Sequence, residues 1–205
     1  MSKELFKISV NLKSKKTSVL PKIVSNYKKR LLLTFFAFWL IGCGTTSTST
    51  QKRFAERIEL VGVERLARLN QNLYRGAQPT EEGFSNLKAL GIKTIINLRS
   101  DNTEEKVCRR LCFAHYHIKT ETDTPPKAEQ VRQFMQIATN SENQPVFFHC
   151  QFGADRTGMM AALYRVLYDE WSNEEAISEM EYFGFHGIWY KLKGYVKNFK
   201  ASSWQ

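Results

Sequence analysis

The sequence predicts an α/β fold in which a small, mostly parallel central sheet is flanked by helices. Three observations carry this. From about residue 70 onward, short apolar runs alternate with stretches whose apolar residues recur at helical spacing. One run, Gln144-Pro145-Val146-Phe147-Phe148, passes through a tight loop straight into a helical stretch, Met159 to Tyr168. The chain of 205 residues, 42% hydrophobic and 13% aromatic, suffices for one domain with a substantial core plus extra segments.

The first extra segment is a leader. Lys28-Lys29-Arg30 precedes an apolar run from Leu31 to Ile41, too short for a membrane span of about 20 residues but suited to the core of a secretory signal peptide. Residues 1–42 are read as that signal peptide. The run ends in Leu40-Ile41-Gly42-Cys43, which resembles the lipobox of bacterial lipoproteins, in which the cysteine is lipidated after cleavage. That resemblance implies a lipid-anchored protein of the bacterial cell envelope. With Gly rather than Asp at residue 44, it implies the outer membrane, facing the periplasm. An uncleaved membrane anchor and an ordinary signal peptide are the other readings. The basic stretch before the apolar run is unusually long, and a start near Val19 or Val24 would give it ordinary length. Thr45 to Gln51 reads as a polar tether, and residues 53–69 as a linker or short packing segment.

The domain proper is expected over residues 70–205. Asn72 to Ala77 is its first strand. Pro79-Thr80-Glu81-Glu82 opens a helix with apolar positions at Phe84, Leu87 and Leu90, closed by Gly91. Thr94 to Leu98 is a buried strand, Asn102 to Cys112 a helix, and Phe113 to Ile118 an alternating strand. Lys127 to Thr139 is a helix with Val131, Phe134 and Ile137 on one face. Val146 to Phe148 is a strand, followed by a helix from Arg156. Ser172-Asn173-Glu174-Glu175 has the form of a capping box for a last helical pair. The segment from Phe183 to Tyr190 is rich in aromatics, and either packs as core or lines a substrate face. The net charge of +10 is concentrated in residues 1–42, which carry +8, while the remainder carries +2. A balanced domain offers no nucleic-acid footprint.

The chemistry lies in His149-Cys150-Gln151-Phe152-Gly153-Ala154-Asp155-Arg156-Thr157-Gly158. The N–H groups of the first turn of a helix have no intrahelical partner, and the helix dipole favours negative charge there. Gly153 permits the loop to curl so that its amides point inward as a nest. Arg156 adds a planar fork of donors suited to two phosphate oxygens. Residues Gln151 to Arg156 are therefore the expected phosphate cradle. The same positive field favours the thiolate of Cys150, the nucleophilic form. Scattered histidines and two further cysteines give no metal set with recognisable spacing, and no cofactor is expected. Cys108 and Cys112 either bridge or pack as buried thiols, and each is a candidate for a reversible pair with Cys150 under oxidation.

These residues resemble the signature of the cysteine-dependent protein tyrosine phosphatases, in the Gly-Ala-Asp-Arg-Thr-Gly form of a bacterial dual-specificity-like branch. Leu73 to Pro79 is similar to the entry strand of atypical members, and Gly91 to Arg99 to their first central strand. The resemblance implies a tyrosine/dual-specificity phosphatase-like fold with no cofactor. It makes Cys150 the nucleophile, Arg156 the phosphate clamp, and His149 and Thr157 supporting residues. It also implies a carboxylic general acid, for which Asp123, on a loop before the preceding helix, and Asp155, inside the signature, both stand. The substrate is a phosphate monoester on a phosphoprotein, an inositol phosphate or a phospholipid. A non-catalytic phosphate-binding envelope lipoprotein is the alternative of a different class.

Overall fold

The computed structural model describes residues 53–204. The leader, Cys43 and the polar tether lie outside the described residues. Six strands form one sheet: β1 (Glu56–Arg57), β2 (Ala67–Asn70), β3 (Leu73–Gly76), β4 (Thr94–Asn97), β5 (Ala114–His117) and β6 (Val146–His149). Their order is β1-β2-β3-β6-β4-β5. The run from β3 through β6 and β4 to β5 is parallel, as a chain of alternating strands and helices requires, and the β1–β2–β3 edge is antiparallel. Residues 53–70 thus supply β1, at the edge of the sheet, and β2 beside it, and Ala55, Leu66, Ala67 and Leu69 are buried.

The helices are α1 (Glu81–Ala89), α2 (Glu105–Arg110), α3 (Ala128–Thr139), α4 (Asp155–Tyr168), α5 (Asn173–Tyr182) and α6 (Tyr190–Lys197). Local chemistry sets their starts. The Thr80 hydroxyl accepts from the Gly83 amide at 3.0 Å, capping α1. Ser172 and Glu175 form a reciprocal capping box on α5, with bonds of 2.7 and 3.2 Å. Helix α2 is shorter than expected because the chain turns through a left-handed residue, Cys112 at φ 54°, directly after it. That turn leaves Cys112 exposed while Cys108 is buried, and both thiols are free. Neither a bridge between them nor a buried pair is present.

Strands β3, β4 and β6 are buried along their whole length, since both faces of the sheet are covered. Successive residues serve different cores. Ile95 and Phe147 pack with Phe84, Leu87 and Val107 of α1 and α2. Ile96 and Phe148 pack with α3 and α4 on the other side. Helix α4 is central to that second layer, against α3, α5 and α6. Its Met159, Met160, Ala161, Ala162 and Leu163 are all buried, so it is apolar almost all round. The parallel strands end together, and the segments leaving β4 and β6 meet there, where open α/β sheets place their ligand crevices.

Candidate active site

The loop from Cys150 to Ala154 leaves β6 and enters α4. Its shape follows from where its carbonyls are tied. The Gln151 carbonyl accepts from the Gln78 amide at 3.2 Å. The Phe152 carbonyl accepts from Arg65 Nη1 at 2.9 Å, and the Gly153 carbonyl from Arg75 Nη2 at 2.8 Å. In a planar trans peptide the N–H of the next residue points opposite to the carbonyl. Three carbonyls pulled outward therefore turn the amides of Phe152, Gly153 and Ala154 to the inside of the loop. Gly153 has φ +67°, and a Cβ there would lie 2.5 Å from the backbone of Gly76 and Ala77. Only glycine fits.

The loop is held from both faces of the sheet. On the α5 side Arg75 is completely buried, with its guanidinium 4.3 Å from the Phe183 ring centre. Burial pushes it down to about 10, against the attraction of Glu179 and Cys150, so it stays charged near neutrality. On the α2 side His149 is fully buried, and its Nε2 lies 2.8 Å from Glu104 Oε1. His115 Nε2 approaches the same oxygen at 3.3 Å. Burial pushes the Glu104 carboxyl up, but the bonds from the two histidines outweigh this and hold it at about 2.

Beside the loop is a cavity of about 440 Å³, lined by Arg99, Ser100, Asp101, Thr122, Cys150, Gln151, Phe152, Asp155, Arg156, His186, Ile188 and Trp189. The structure thus brings Cys150, Gln151, Phe152, Asp155 and Arg156 of the expected cradle to one pocket. Arg156 reaches the carbonyls of Leu98 and Thr120 only through long bonds of 3.5 and 3.4 Å, and its Nε is buried without a partner. Thr157 is buried, its hydroxyl likewise unpartnered. Asp155 is buried and accepts from His186, through the backbone amide at 2.8 Å and ring Nδ1 at 2.9 Å. Asp123 is exposed, hydrogen-bonded to the Thr124 hydroxyl at 3.2 Å, and is not among the pocket-lining residues, although its neighbour Thr122 is. The segment from Phe183 divides: Phe183 is core, while His186, Ile188 and Trp189 line the pocket.

Several functional neighbours escaped the sequence reading. Arg99 bonds Gln78 Oε1 at 2.6 Å and Asp101 Oδ2 at 2.9 Å, making a second guanidinium and a second carboxylate on the pocket wall. Arg65, Gln78, Arg75 and Glu104 set the loop. Arg75 and Gln78 stand inside the Leu73–Pro79 motif, the one signal that could have pointed to them; Arg65 and Glu104 carry none. Glu104, Cys108 and His115 place metal-ligand atoms within 4.8 Å of one another. The donor set would suit a borderline-soft cation; Glu104 Oε1 already meets both histidines, while Oε2 is buried without a hydrogen-bond partner.

Over 120 residues the chain is 29% identical to the dual specificity protein phosphatase TpbA of Pseudomonas aeruginosa, a match covering 58% of this chain and 55% of that protein. It is 31% identical over 102 residues to a probable chloroplastic NAD kinase 2 of Oryza sativa subsp. japonica, covering 45% of this chain and 10% of the kinase. The chain thus spans about half the length of the first relative and a tenth of the second. The crystal structure of TpbA superposes with a TM-score of 0.65 at 24% identity, over 75% of this chain and 94% of that one. The catalytic core of the PP-IP phosphatase SIW14 from S. cerevisiae gives 0.64 at 21% identity, over 71% and 91%. These two likenesses show a shared fold. The model of a family described as DSP-PTPase phosphatase fused to NAD+ kinase matches residues 60–191, the span that contains the loop, both of its clamps and the pocket, and the chain belongs to that family.

Proposed function

We propose that the domain hydrolyses phosphate monoesters through a phosphocysteine, in the manner of a protein tyrosine or dual-specificity phosphatase. The observation that carries the reading is the loop's inward-facing amides with Cys150 and Arg156 on one pocket wall. Cys150 Sγ attacks phosphorus, the bond from phosphorus to the ester oxygen breaks, and that oxygen leaves with a proton from an acid. Water then attacks the phosphocysteine and releases inorganic phosphate and the thiolate. The loop amides and the incompletely bonded Arg156 guanidinium stabilise the equatorial oxygens in both steps. Phe152, Ile188 and Trp189 form an apolar wall suited to an aromatic leaving group such as phosphotyrosine. Arg99 favours a second reading, an inositol phosphate or phospholipid monoester, because it adds a cation to the wall. The PP-IP description of SIW14 agrees with that reading.

The test is phosphate release from a phosphotyrosine peptide, a phosphoserine peptide, inositol polyphosphates and a phospholipid monoester. Turnover that disappears in Cys150→Ser is the expected result, with the phosphotyrosine peptide preferred. A folded protein that turns over none of them would favour a phosphate-binding envelope protein instead. The leader supports a further part of the proposal, a lipid anchor at Cys43 holding the domain at the envelope, on the outer membrane facing the periplasm. Among the described residues no helix is long and apolar enough to cross a membrane. Metabolic labelling with palmitate should mark the protein, and labelling retained in Cys43→Ala would overturn the anchor.

A further inference from the structure

Glu104, Cys108 and His115 lie close together in the chain, and none of them lines the substrate pocket. Glu104 immediately precedes α2, and Cys108 lies one turn further on, its amide bonded to the Glu104 carbonyl at 3.0 Å. Residues four apart on a helix share a face, so carboxyl and thiol project to the same side. The left-handed residue Cys112 then turns the chain, the Phe113 amide bonds back to the Cys108 carbonyl at 3.0 Å, and β5 brings His115 alongside. One carboxylate oxygen of Glu104, Cys108 Sγ and one ring nitrogen of His115 come within 4.8 Å of one another.

Glu104 and Cys108 are buried, while the His115 side chain, 11% exposed, gives the cluster an edge toward solvent. Glu104 Oε1 meets His149 Nε2 at 2.8 Å and His115 Nε2 at 3.3 Å, but Oε2 is buried with no hydrogen-bond partner. The Gln78 side chain approaches the carboxyl without closing a bond on that oxygen. A carboxylate oxygen that has left water and gained no donor costs stability unless a cation meets it. Without a cation Cys108 is a thiol, since burial and then the charge of Glu104 push it up to about 12.

We propose that Glu104, Cys108 and His115 form a site for a borderline-soft divalent cation, zinc above all, that braces α2 against β5. Glu104 Oε2, Cys108 Sγ and His115 Nε2 are the ligands, and water completes a tetrahedron. The Cys108 proton leaves to solvent and sulfur binds as the thiolate. His115 gives up its bond to Oε1 and binds as the neutral ring, its proton on Nδ1. Thiolate and carboxylate together cancel the charge of a divalent ion, so the buried cluster is neutral with the ion in place. Sulfur and nitrogen ligands select zinc over magnesium and calcium, which take oxygen. Ligands of a tetrahedral zinc stand about 3.3–3.8 Å apart, from bonds of about 2.0 Å to nitrogen or oxygen and about 2.3 Å to sulfur. His115 Nε2 is already 3.3 Å from the Glu104 carboxylate, and side-chain rotation suffices to bring in the sulfur. Oε1 keeps its bond from His149, as ligating carboxylates are held by outer hydrogen bonds. The site is independent of the reaction assigned to Cys150.

The test is cobalt binding by the full chain with Cys150→Ser, which removes the reactive thiol as a competing ligand, in a phosphine reductant. A single equivalent of Co²⁺ should give a thiolate-to-cobalt charge-transfer band with the intense visible absorption of a tetrahedral ion, and Zn²⁺ should abolish both. Cys108→Ser should lose the charge-transfer band. His115→Gln, at the exposed edge, should keep the fold and weaken Co²⁺ binding by at least about tenfold. Cys43→Ser and Cys112→Ser should bind as the parent does. Zn²⁺ should raise the denaturant midpoint of the parent and leave those of Cys108→Ser and His115→Gln unmoved. A parent without the band, a band that survives Cys108→Ser, or a band lost in Cys43→Ser or Cys112→Ser would overturn the proposal. If Cys108→Ser does not fold, His115→Gln decides, and unchanged affinity there would equally overturn it.

Discussion

The two faces of the sheet hold the catalytic loop by opposite charges. On the α5 side a buried cation, Arg75, bonds the Gly153 carbonyl directly and lies within electrostatic reach of Cys150. On the α2 side a buried anion, Glu104, acts one residue removed, through the imidazole of His149. The difference separates two tasks. The cation both shapes the loop and adds positive potential where a thiolate and a phosphate must sit. The anion fixes a ring and so fixes the start of the loop; had it touched the loop itself, its charge would oppose both. A histidine spacer lets an acid give geometry without placing its field at the nucleophile.

Arg75→Met should break the comparison most strongly. Glu179 keeps both bonds from Arg165, so the loss is that of the donor to the buried Gly153 carbonyl, about 1–3 kcal/mol in denaturant unfolding. Alkylation of Cys150 by iodoacetamide should slow, because the guanidinium lies within electrostatic reach of the thiol. Unchanged alkylation would mean that Arg75 only shapes the loop.

Glu104→Gln comes next and should act on stability with little effect on thiol reactivity. The Glu104 carboxyl sits at about 2 in the folded chain against an ordinary 4.5, so its stabilisation is complete above pH 4.5 and is lost as pH falls toward 2. That depression is worth about 3 kcal/mol. The variant should therefore trail the parent by about that amount at pH 7 and meet it near pH 2. An acid limb identical in the two proteins would exclude Glu104 as its source. The smallest effect belongs to His115→Gln, which removes one of two donors and leaves the bond to His149 in place. A loss of about 1 kcal/mol with unchanged turnover is expected, and a loss of turnover would extend the α2-side clamp to β5.

What could be read in the sequence was local. Cys150, Arg156 and Gly153 were legible because strand, loop and helix follow one another within a few residues, and the capping chemistry of Thr80 and of Ser172 with Glu175 lies within a single turn. The parallel core of the sheet followed from the alternation of strands and helices. The rest depends on contacts between distant positions. Glu104 and His149 are 45 residues apart, and Asp155 and His186 are 31 apart, so no spacing could have announced either pair. The edge strand β1 was hidden for another reason: it is two exposed charged residues, which carry no alternation of apolar and polar side chains. Cys108 and Cys112, four apart, suggested one helical face until the left-handed turn at Cys112 sent the second thiol outward.

Glu179 also accepts a bond from the Ala55 amide at 2.6 Å, while Arg165 holds both of its oxygens. Phe54 beside it rests on the rings of Trp171 and Tyr182. Anyone shortening this protein for expression meets a constraint here that the family match does not reveal. A version beginning at residue 60 would retain the whole catalytic loop and both of its clamps, yet would strip β1 from the sheet edge. The buried carboxylate that faces Arg75 would then lack one donor, so the boundary of a well-behaved fragment lies before Phe54.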